Sequence, residues 1–378
     1  MTINRVNRKK CSGCSACYNI CPASAIEMQE DNEGFKYPIV TKEKCIDCDL
    51  CEKVCSCINH EVEVVKYERF LACTNLNESV LKRSSSGGIF FCLAKYIIEK
   101  GGIVFGAAFD ESFNLRHIGV ESWEEVINKL CGSKYLQSDI DNTYVQCRHE
   151  LNLGRHVLFA GTPCQIAGLK KLLGKDYANL IAMDIFCHGV PSPLVWRKYL
   201  IKNFDISKIR KINFRDKTFG WKNYSFFVGM TDEEFSEIYR DNLYMNGFLA
   251  NLFLRPSCYN CSFKGLTAYH SDITVGDFWG VERHYKDLEN HLGVSIAIIH
   301  NPKLYSLLLS NENLNIHDID KNNILSYNKE ITRSSKYNHN RDSFFEQVLA
   351  GNDINAAIRD GIKKQSLLQK LKLLFCSK

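Results

Sequence analysis

Apolar and polar positions along the chain fall into alternating helical and extended stretches. Ile89 to Glu99 carries apolar residues at helical spacing behind Ser84-Ser85-Ser86-Gly87-Gly88, and Gly101 and Gly102 stop it. Ile103 to Phe109 reads as a short apolar strand. Ser122-Trp123-Glu124-Glu125 has the form of a capping box opening a helix to Leu130. Asp139 to Leu153 reads as a helix, Val157 to Ala160 as a buried strand, and Gly161-Thr162-Pro163-Cys164 as a tight turn. Gln165 to Leu173 reads as a helix and Leu180 to Phe186 as a strand. This alternation predicts an α/β core with parallel pairing. From Ile206 to Val275 the pattern shifts to strands broken by turns, Ile209 to Phe214 and Tyr224 to Met230. Val294 to Ile299 adds a strand and Pro302 to Leu309 a helix.

Residues 56–70 alternate charged and β-branched positions (Val62, Val64, Val65) and read as a strand or linker leaving an N-terminal module. Asn355 to Phe375 reads as a basic amphipathic helix, with Leu367, Leu368, Leu371, Leu374 and Phe375 on one side. Its lysines (Lys363, Lys364, Lys370, Lys372) suit a solvated face, or contact with an anionic membrane surface. The expected division is 1–65, 66–155, 156–330 and a helical tail 331–378.

Composition changes this picture at one point. The chain has 378 residues, 45% hydrophobic and 24% charged, as in ordinary soluble domains. Its net charge of +5 is too small and dispersed to predict a nucleic-acid partner. No stretch reaches the roughly 18 apolar residues of a membrane span, and Met1 to Lys10 lacks the apolar run of a signal peptide. A cytoplasmic protein is expected. Yet 18 residues are cysteine. In a reducing compartment, thiols at this density point to metal rather than disulfides.

Eight of them form two runs. Cys11, Cys14, Cys17 and Cys21 are spaced C-x2-C-x2-C-x3-C, with Pro22 next, and Cys45, Cys48, Cys51 and Cys55 repeat the spacing. This is the spacing of bacterial ferredoxins with two 4Fe–4S clusters. Three thiolates three positions apart wrap one face of a cubane, and the fourth serves the other cluster. Cys11, Cys14 and Cys17 with Cys55 therefore form one expected ligand set, and Cys45, Cys48 and Cys51 with Cys21 the other. Zinc is the alternative, although zinc sites usually show C-x2-C pairs. In the second run Ser56, not Pro, follows Cys55, and Cys57 is extra and needs no role.

Cys258-Tyr259-Asn260-Cys261 is a further C-x2-C pair. Cys164 and Cys187 sit at the ends of two expected strands, where α/β sheets carry their sites. Together these four can make a third thiolate site. Cys73, Cys92, Cys131, Cys147 and Cys376 read as small buried hydrophobes.

Several motifs resemble the coenzyme F-420 hydrogenase/dehydrogenase beta-subunit family. They are Gly161-Thr-Pro-Cys-Gln-Ile-Ala-Gly168, Cys187-His-Gly-Val-Pro-Ser192, and Cys258-x2-Cys261 followed by Asp272-Ile-Thr-Val-Gly-Asp-Phe-Trp-Gly280. Ser85-Ser86-Gly87-Gly88, Gly106-Ala-Ala-Phe109 and Gly132-Ser-Lys-Tyr-Leu-Gln-Ser138 are similar too. The resemblance implies a small bacterial-type ferredoxin (βαββαβ-like) fused to a larger mixed α/β domain, an α+β and α/β multidomain protein. It implies FAD and one further 4Fe–4S cluster in the large domain.

No G-x-G-x-x-G is present, so the FAD phosphates need another cradle. Ser85, Ser86, Gly87 and Gly88 before a helix, and Ser133, Lys134 and Tyr135, are the candidates. Gly161, Thr162 and Gln165 are expected beside the flavin ring. His188 is a candidate proton donor there, or a structural histidine. Asp277, Trp279 and Arg283 are expected on the substrate side. The implied activity is an iron–sulfur flavoprotein oxidoreductase linking a hydride carrier (coenzyme F-420 or another) to a redox partner protein or small-molecule acceptor. Bacterial members are often tied to polysaccharide gene clusters, which implies polysaccharide biosynthesis as one setting. The alternative is a non-catalytic electron-transfer subunit of a larger assembly. Twelve candidate ligands disfavour a scaffold that has lost its chemistry. Oligomeric state stays open.

Overall fold

The computed structural model describes residues 3, 6–59, 67–265 and 270–363. Val62, Val64 and Val65, the tail from Lys364 onward and Cys376 lie outside these residues. Among the described residues no helix is long and apolar enough to cross a membrane.

The N-terminal module runs α1 (Ala16–Ile20), β1 (Ile26–Glu30), β2 (Lys36–Val40) and α2 (Leu50–Lys53). β1 and β2 form an antiparallel hairpin. Of the six elements expected, the described residues form these four. Asp31 closes the hairpin turn by accepting from the Glu33 and Phe35 amides. Gly34 has φ +85°, and a Cβ there would meet the Leu194 backbone nitrogen at 2.4 Å, so only glycine permits this docking. The module is fastened to the body by Arg341, whose guanidinium grips both oxygens of Glu33.

The body continues β3 (Arg69–Asn75), α3 (Glu78–Arg83), α4 (Ile89–Glu99), β4 (Ile103–Phe109), β5 (Leu115–Val120), α5 (Trp123–Glu125), α6 (Thr143–Asn152), β6 (Val157–Gly161), α7 (Pro163–Leu173), β7 (Leu180–Ile185) and α8 (Pro193–Asn203). A three-stranded insert of β8 (Ile209–Asp216), β9 (Ser225–Met230) and β10 (Glu234–Ile238) follows, then α9 (Leu243–Leu249). The chain returns with β11 (Ile273–Asp277), α10 (Val281–His284), β12 (Ser295–Ile299), α11 (Pro302–Leu309), β13 (Leu314–Asp318), α12 (Lys321–Leu325) and α13 (Arg341–Leu349), before a helix at 354–363.

The main sheet has eight strands in the order β13-β3-β12-β11-β7-β6-β4-β5. Parallel pairing holds only for its centre, β11-β7-β6-β4; the flanking strands are antiparallel. Neighbouring strand residues serve opposite faces, as a period of two requires. Leu158 and Val104 pack under α4 and α11, while Phe159 and Phe105 pack under α6 and α7. Each such side chain contributes about 1.5–3 kcal/mol by leaving water. A third cluster of Trp196, Phe214, Phe226 and Tyr244 joins α8 and α9 to the insert.

Two boundaries differ from the sequence pattern for physical reasons. The helix expected from Asp139 starts at Thr143, because Asp139 bridges to the β5 edge and Asp141 takes φ +47°. Ser122 caps the helix by accepting from the Glu125 amide, and Glu125 accepts from the Ser122 hydroxyl rather than its backbone, so half of the capping box forms; Val126–Leu130 then continues as a π-helix rather than an α-helix.

Asp184 lies buried on β7, with its carboxyl accepting from Ser271 at 3.0 Å. Burial pushes its pKa up to about 7. The folded state therefore holds a proton that the unfolded chain releases near pH 4. Stability falls as pH rises from about 4 to about 7, by a few kcal/mol in order of magnitude, and levels off above. Asp184→Asn should raise the unfolding temperature at pH 8 and leave it unchanged at pH 4; an equal change at both, seen by circular dichroism, would contradict this.

Candidate functional site

The two N-terminal cysteine runs share one backbone device. In the first, Gly13 and Ser15 are left-handed (φ +70° and +61°); in the second, Asp47 and Asp49 are (φ +50° and +57°). Glycine and aspartate tolerate that region, and each run reverses its backbone at the same two positions relative to its cysteines. Cys21, Cys45, Cys48 and Cys51 line one hollow of about 20 Å3. Cys11, Cys14 and Cys17 lie within electrostatic reach of one another, and Cys55 within reach of Cys14. Burial pushes the Cys14 thiol up to about 12. Cys57 hydrogen-bonds Cys55, which with burial holds the Cys55 thiol above its ordinary range. Cys57 also acts on Cys11, Cys14, Cys164 and Cys261. The cysteine that the spacing leaves without a role thus sits between two thiol groups.

Cys164 lies in the first turn of α7, Cys187 follows β7, and Cys258 and Cys261 lie in and just after the turn Pro256–Asn260. The Cys187 thiol feels all three of the others, and burial pushes Cys164 up to about 12 and Cys258 to about 11. The Val190 amide donates to Cys258 Sγ at 3.4 Å, and the Thr162 hydroxyl is 3.2 Å from Cys164 Sγ. A bound metal would hold these thiols deprotonated. Among the described residues, no three Cys, His, Asp or Glu side chains group as ligands of a single ion.

α7 also joins this group to the N-terminal module. A Cβ on Gly168 would meet Cys14 Sγ at 3.0 Å, so the glycine in the 161–168 motif lets the first cysteine loop seat on the helix. Arg255, buried, sits at the same seam. It donates to the carbonyls of Cys11 and Lys36 and to Gln137 Oε1, each at 2.9 Å. Its guanidinium stacks 4.3 Å from the Tyr37 ring centre and reaches within 4.0 Å of Cys11 Sγ. Sequence reasoning missed Arg255; its place three residues before Cys258 was the available signal.

Beyond Cys187 lies a cavity of about 390 Å3 at the carboxyl ends of β6, β7 and β11. Ser85, Ser86, Gly88, Ser133, Lys134, Tyr135, Gly161, Thr162, Gln165 and His188 all line it. Gly87 does not: its amide donates to Ser295 Oγ, and a Cβ there would meet Cys73 O at 2.1 Å. Ser85 Oγ accepts from the Ser133 amide at 2.6 Å, tying the two expected cradle loops together. Gly88 opens α4 in a left-handed conformation without a side-chain cap, leaving first-turn amides available. The Lys134 ammonium is spent on the carbonyls of Leu130, Cys131 and Gly132. Gln165 caps the turn through the Thr162 amide at 2.9 Å and reaches Ser138 Oγ at 2.9 Å.

His188 donates through Nε2 to Asn251 Oδ1 at 2.6 Å and also hydrogen-bonds the Phe248 backbone. Burial lowers its pKa. Asp277 and Trp279 line the cavity, whereas Arg283 stacks on Tyr327, away from it. Among the described residues, four that line the cavity hold buried polar atoms without partners: His117 Nδ1, Arg215 Nε and Nη2, Asp277 Oδ1 and Asn328 Oδ1. Buried polar atoms are rarely left so, and all four of these residues belong to the cavity lining. His117 donates through Nε2 to Ala160 O at 2.9 Å, so its Nδ1 is an acceptor. Burial brings its pKa down to about 4. Nothing in the local sequence distinguishes His117, Arg215 or Asn328.

Residues 154–322 match the family model for the C-terminal part of the coenzyme F420 hydrogenase/dehydrogenase beta subunit, and residues 10–58 match the 4Fe-4S dicluster domain. A coenzyme F420-dependent sulfite reductase of Methanocaldococcus jannaschii is 26% identical over 211 residues, 54% of this chain. The match spans 32% of that relative's length. A chain of the F420-reducing NiFe hydrogenase complex of Methanosarcina barkeri, solved as a xenon derivative, superposes with a TM-score of 0.46 at 15% identity, over 81% of this chain and 93% of that one.

Proposed function

We propose that this chain, which carries the dicluster domain and the C-terminal domain of the coenzyme F420 hydrogenase/dehydrogenase beta-subunit family, is an FAD-dependent iron–sulfur oxidoreductase serving a hydride carrier and a one-electron partner. The observation that carries the reading is continuity. Cys187 is a wall of the cavity and a member of the four-thiol group, and Gly168 seats that group's helix on Cys14. Flavin supplies the exchange between two-electron and one-electron carriers, and clusters supply one-electron storage.

The residues divide the work. The first-turn amides of α4, with Ser85 and Ser133, offer donors to an anionic phosphate. Gln165 and Thr162 hold the turn beside Cys164. Cys164, Cys187, Cys258 and Cys261 are the ligands for a third 4Fe–4S cluster. Cys11, Cys14, Cys17 and Cys55 serve one of the outer two clusters, and Cys45, Cys48, Cys51 and Cys21 the other. His188 is a positioning residue in this reading, because its Nε2–H is taken up by Asn251 Oδ1.

The test is anaerobic reduction of the reconstituted, FAD-loaded chain by reduced coenzyme F420, NADH or reduced ferredoxin. A hydride carrier alone should bleach the flavin and then the clusters. Bleaching by ferredoxin only would instead make the chain an electron-transfer subunit whose partner performs the substrate chemistry.

A further inference from the structure

Among the described residues, the cavity end around Trp279 gathers several unpartnered polar atoms. Arg215, from β8, and Asp277, the last residue of β11, form an ion pair that uses Nη1 of one and Oδ2 of the other. Among the described residues, Arg215 Nε and Nη2 and Asp277 Oδ1 have no partners. The Tyr135 hydroxyl lies within hydrogen-bonding reach of the Arg215 side chain, which leaves Asp277 Oδ1 and the rest of the guanidinium edge to the cavity. Leaving part of a buried charged pair unsatisfied is costly unless a ligand completes it.

Nor can the pair swing out to water. The guanidinium is held 4.6 Å from the Tyr224 ring centre and 5.7 Å from that of Trp279. Trp279 in turn stacks on buried Trp221 at 4.7 Å. Asn328 Nδ2 is spent on Ile324 O and Trp279 O, so its free Oδ1 adds one more acceptor.

The pair is electrically neutral, with a donor edge beside an acceptor. A phosphate or carboxylate would meet Asp277 as well as Arg215. A neutral group offering a carbonyl next to an N–H fits both. We propose that Arg215 and Asp277 read the imide edge of the flavin ring, its N3–H donating to Asp277 Oδ1 and an adjacent carbonyl accepting from Arg215 Nη2. This inference rests on the proposed flavin occupancy of the cavity. It also orients the occupant: the ring end lies at Trp279 and the phosphates toward Ser85 and Gly88.

The test uses the full chain with its clusters in place and its flavin removed. FAD and N3-methyl-FAD, which lacks the donor, are titrated by fluorescence quenching. The wild-type chain should bind FAD at least about ten-fold tighter than the methylated form, because a site built for an N–H rejects its absence. Asp277→Asn should bring the two within about two-fold with the iron content unchanged. Equal binding of the two by the wild-type chain would overturn the inference while leaving the flavin cavity standing. Binding of neither would overturn the flavin reading and the inference with it.

Discussion

Replacing Cys258 by serine should lower the iron content from about 12 to about 8 atoms per chain and abolish one cluster signal in the reduced paramagnetic spectrum. The buried thiol is pinned by the Val190 amide and lies within the field of Cys164 and Cys187. A serine hydroxyl is a poor ligand for iron and cannot reproduce the thiolate. The lesion should stay local, because Cys258 lies apart from the hollow lined by Cys21, Cys45, Cys48 and Cys51. Flavin should still bind, since Cys258 does not line the cavity. An unchanged iron count would remove the third site from the account.

Replacing Arg255 by methionine should make the clusters at the seam harder to reduce. The guanidinium acts electrostatically on Cys11, Cys57, Cys164 and Cys258, thiols of both neighbouring groups. At roughly 6 Å and an effective dielectric near 20, one positive charge is worth about 3 kcal/mol. For a one-electron couple that is roughly 100 mV, so the potentials should move down by about that amount. Three donated hydrogen bonds are lost too, at about 1.5–3 kcal/mol each for a charged donor, so the module should also melt earlier. Methionine keeps most of the packing volume, so a new cavity adds little to either effect. A redox titration showing unmoved potentials in a folded, fully loaded variant would contradict the electrostatic role.

The candidate cluster ligands were legible because cluster chemistry constrains spacing. Two C-x2-C-x2-C-x3-C runs need few alternatives, and the equivalent left-handed positions at Gly13 and Asp47, and at Ser15 and Asp49, express that spacing in the backbone. The strand periods from Ile103 to Ile185 were readable for the same kind of reason: buried central strands leave apolar runs. The antiparallel edge formed by β3 and β13 was not, because β3 draws its pairing from β12 and β13, more than 200 residues further along the chain. Phe70 to Cys73, a nearly wholly buried run, passed unnoticed for this reason.

The residues proposed for binding divide similarly. Serine–glycine loops announce backbone exposure, so Ser85, Ser133 and Gly88 could be singled out. Lys134 could be too, but only the fold shows its ammonium turned onto three carbonyls. Arg215, Asp277 and Asn328 come together from three separate segments, and no spacing rule joins them. Cys57 follows the same logic: its position between two thiol groups depends on how the module seats against α7.

The most direct test of the central claim is a paired count on the anaerobically reconstituted wild-type chain, iron by chelation and flavin by extraction. The account predicts about 12 iron atoms and one FAD per chain, from three 4Fe–4S clusters and the cavity beside Cys187. About 8 iron atoms with no flavin would leave a two-cluster ferredoxin module on an inert body, and would contradict it.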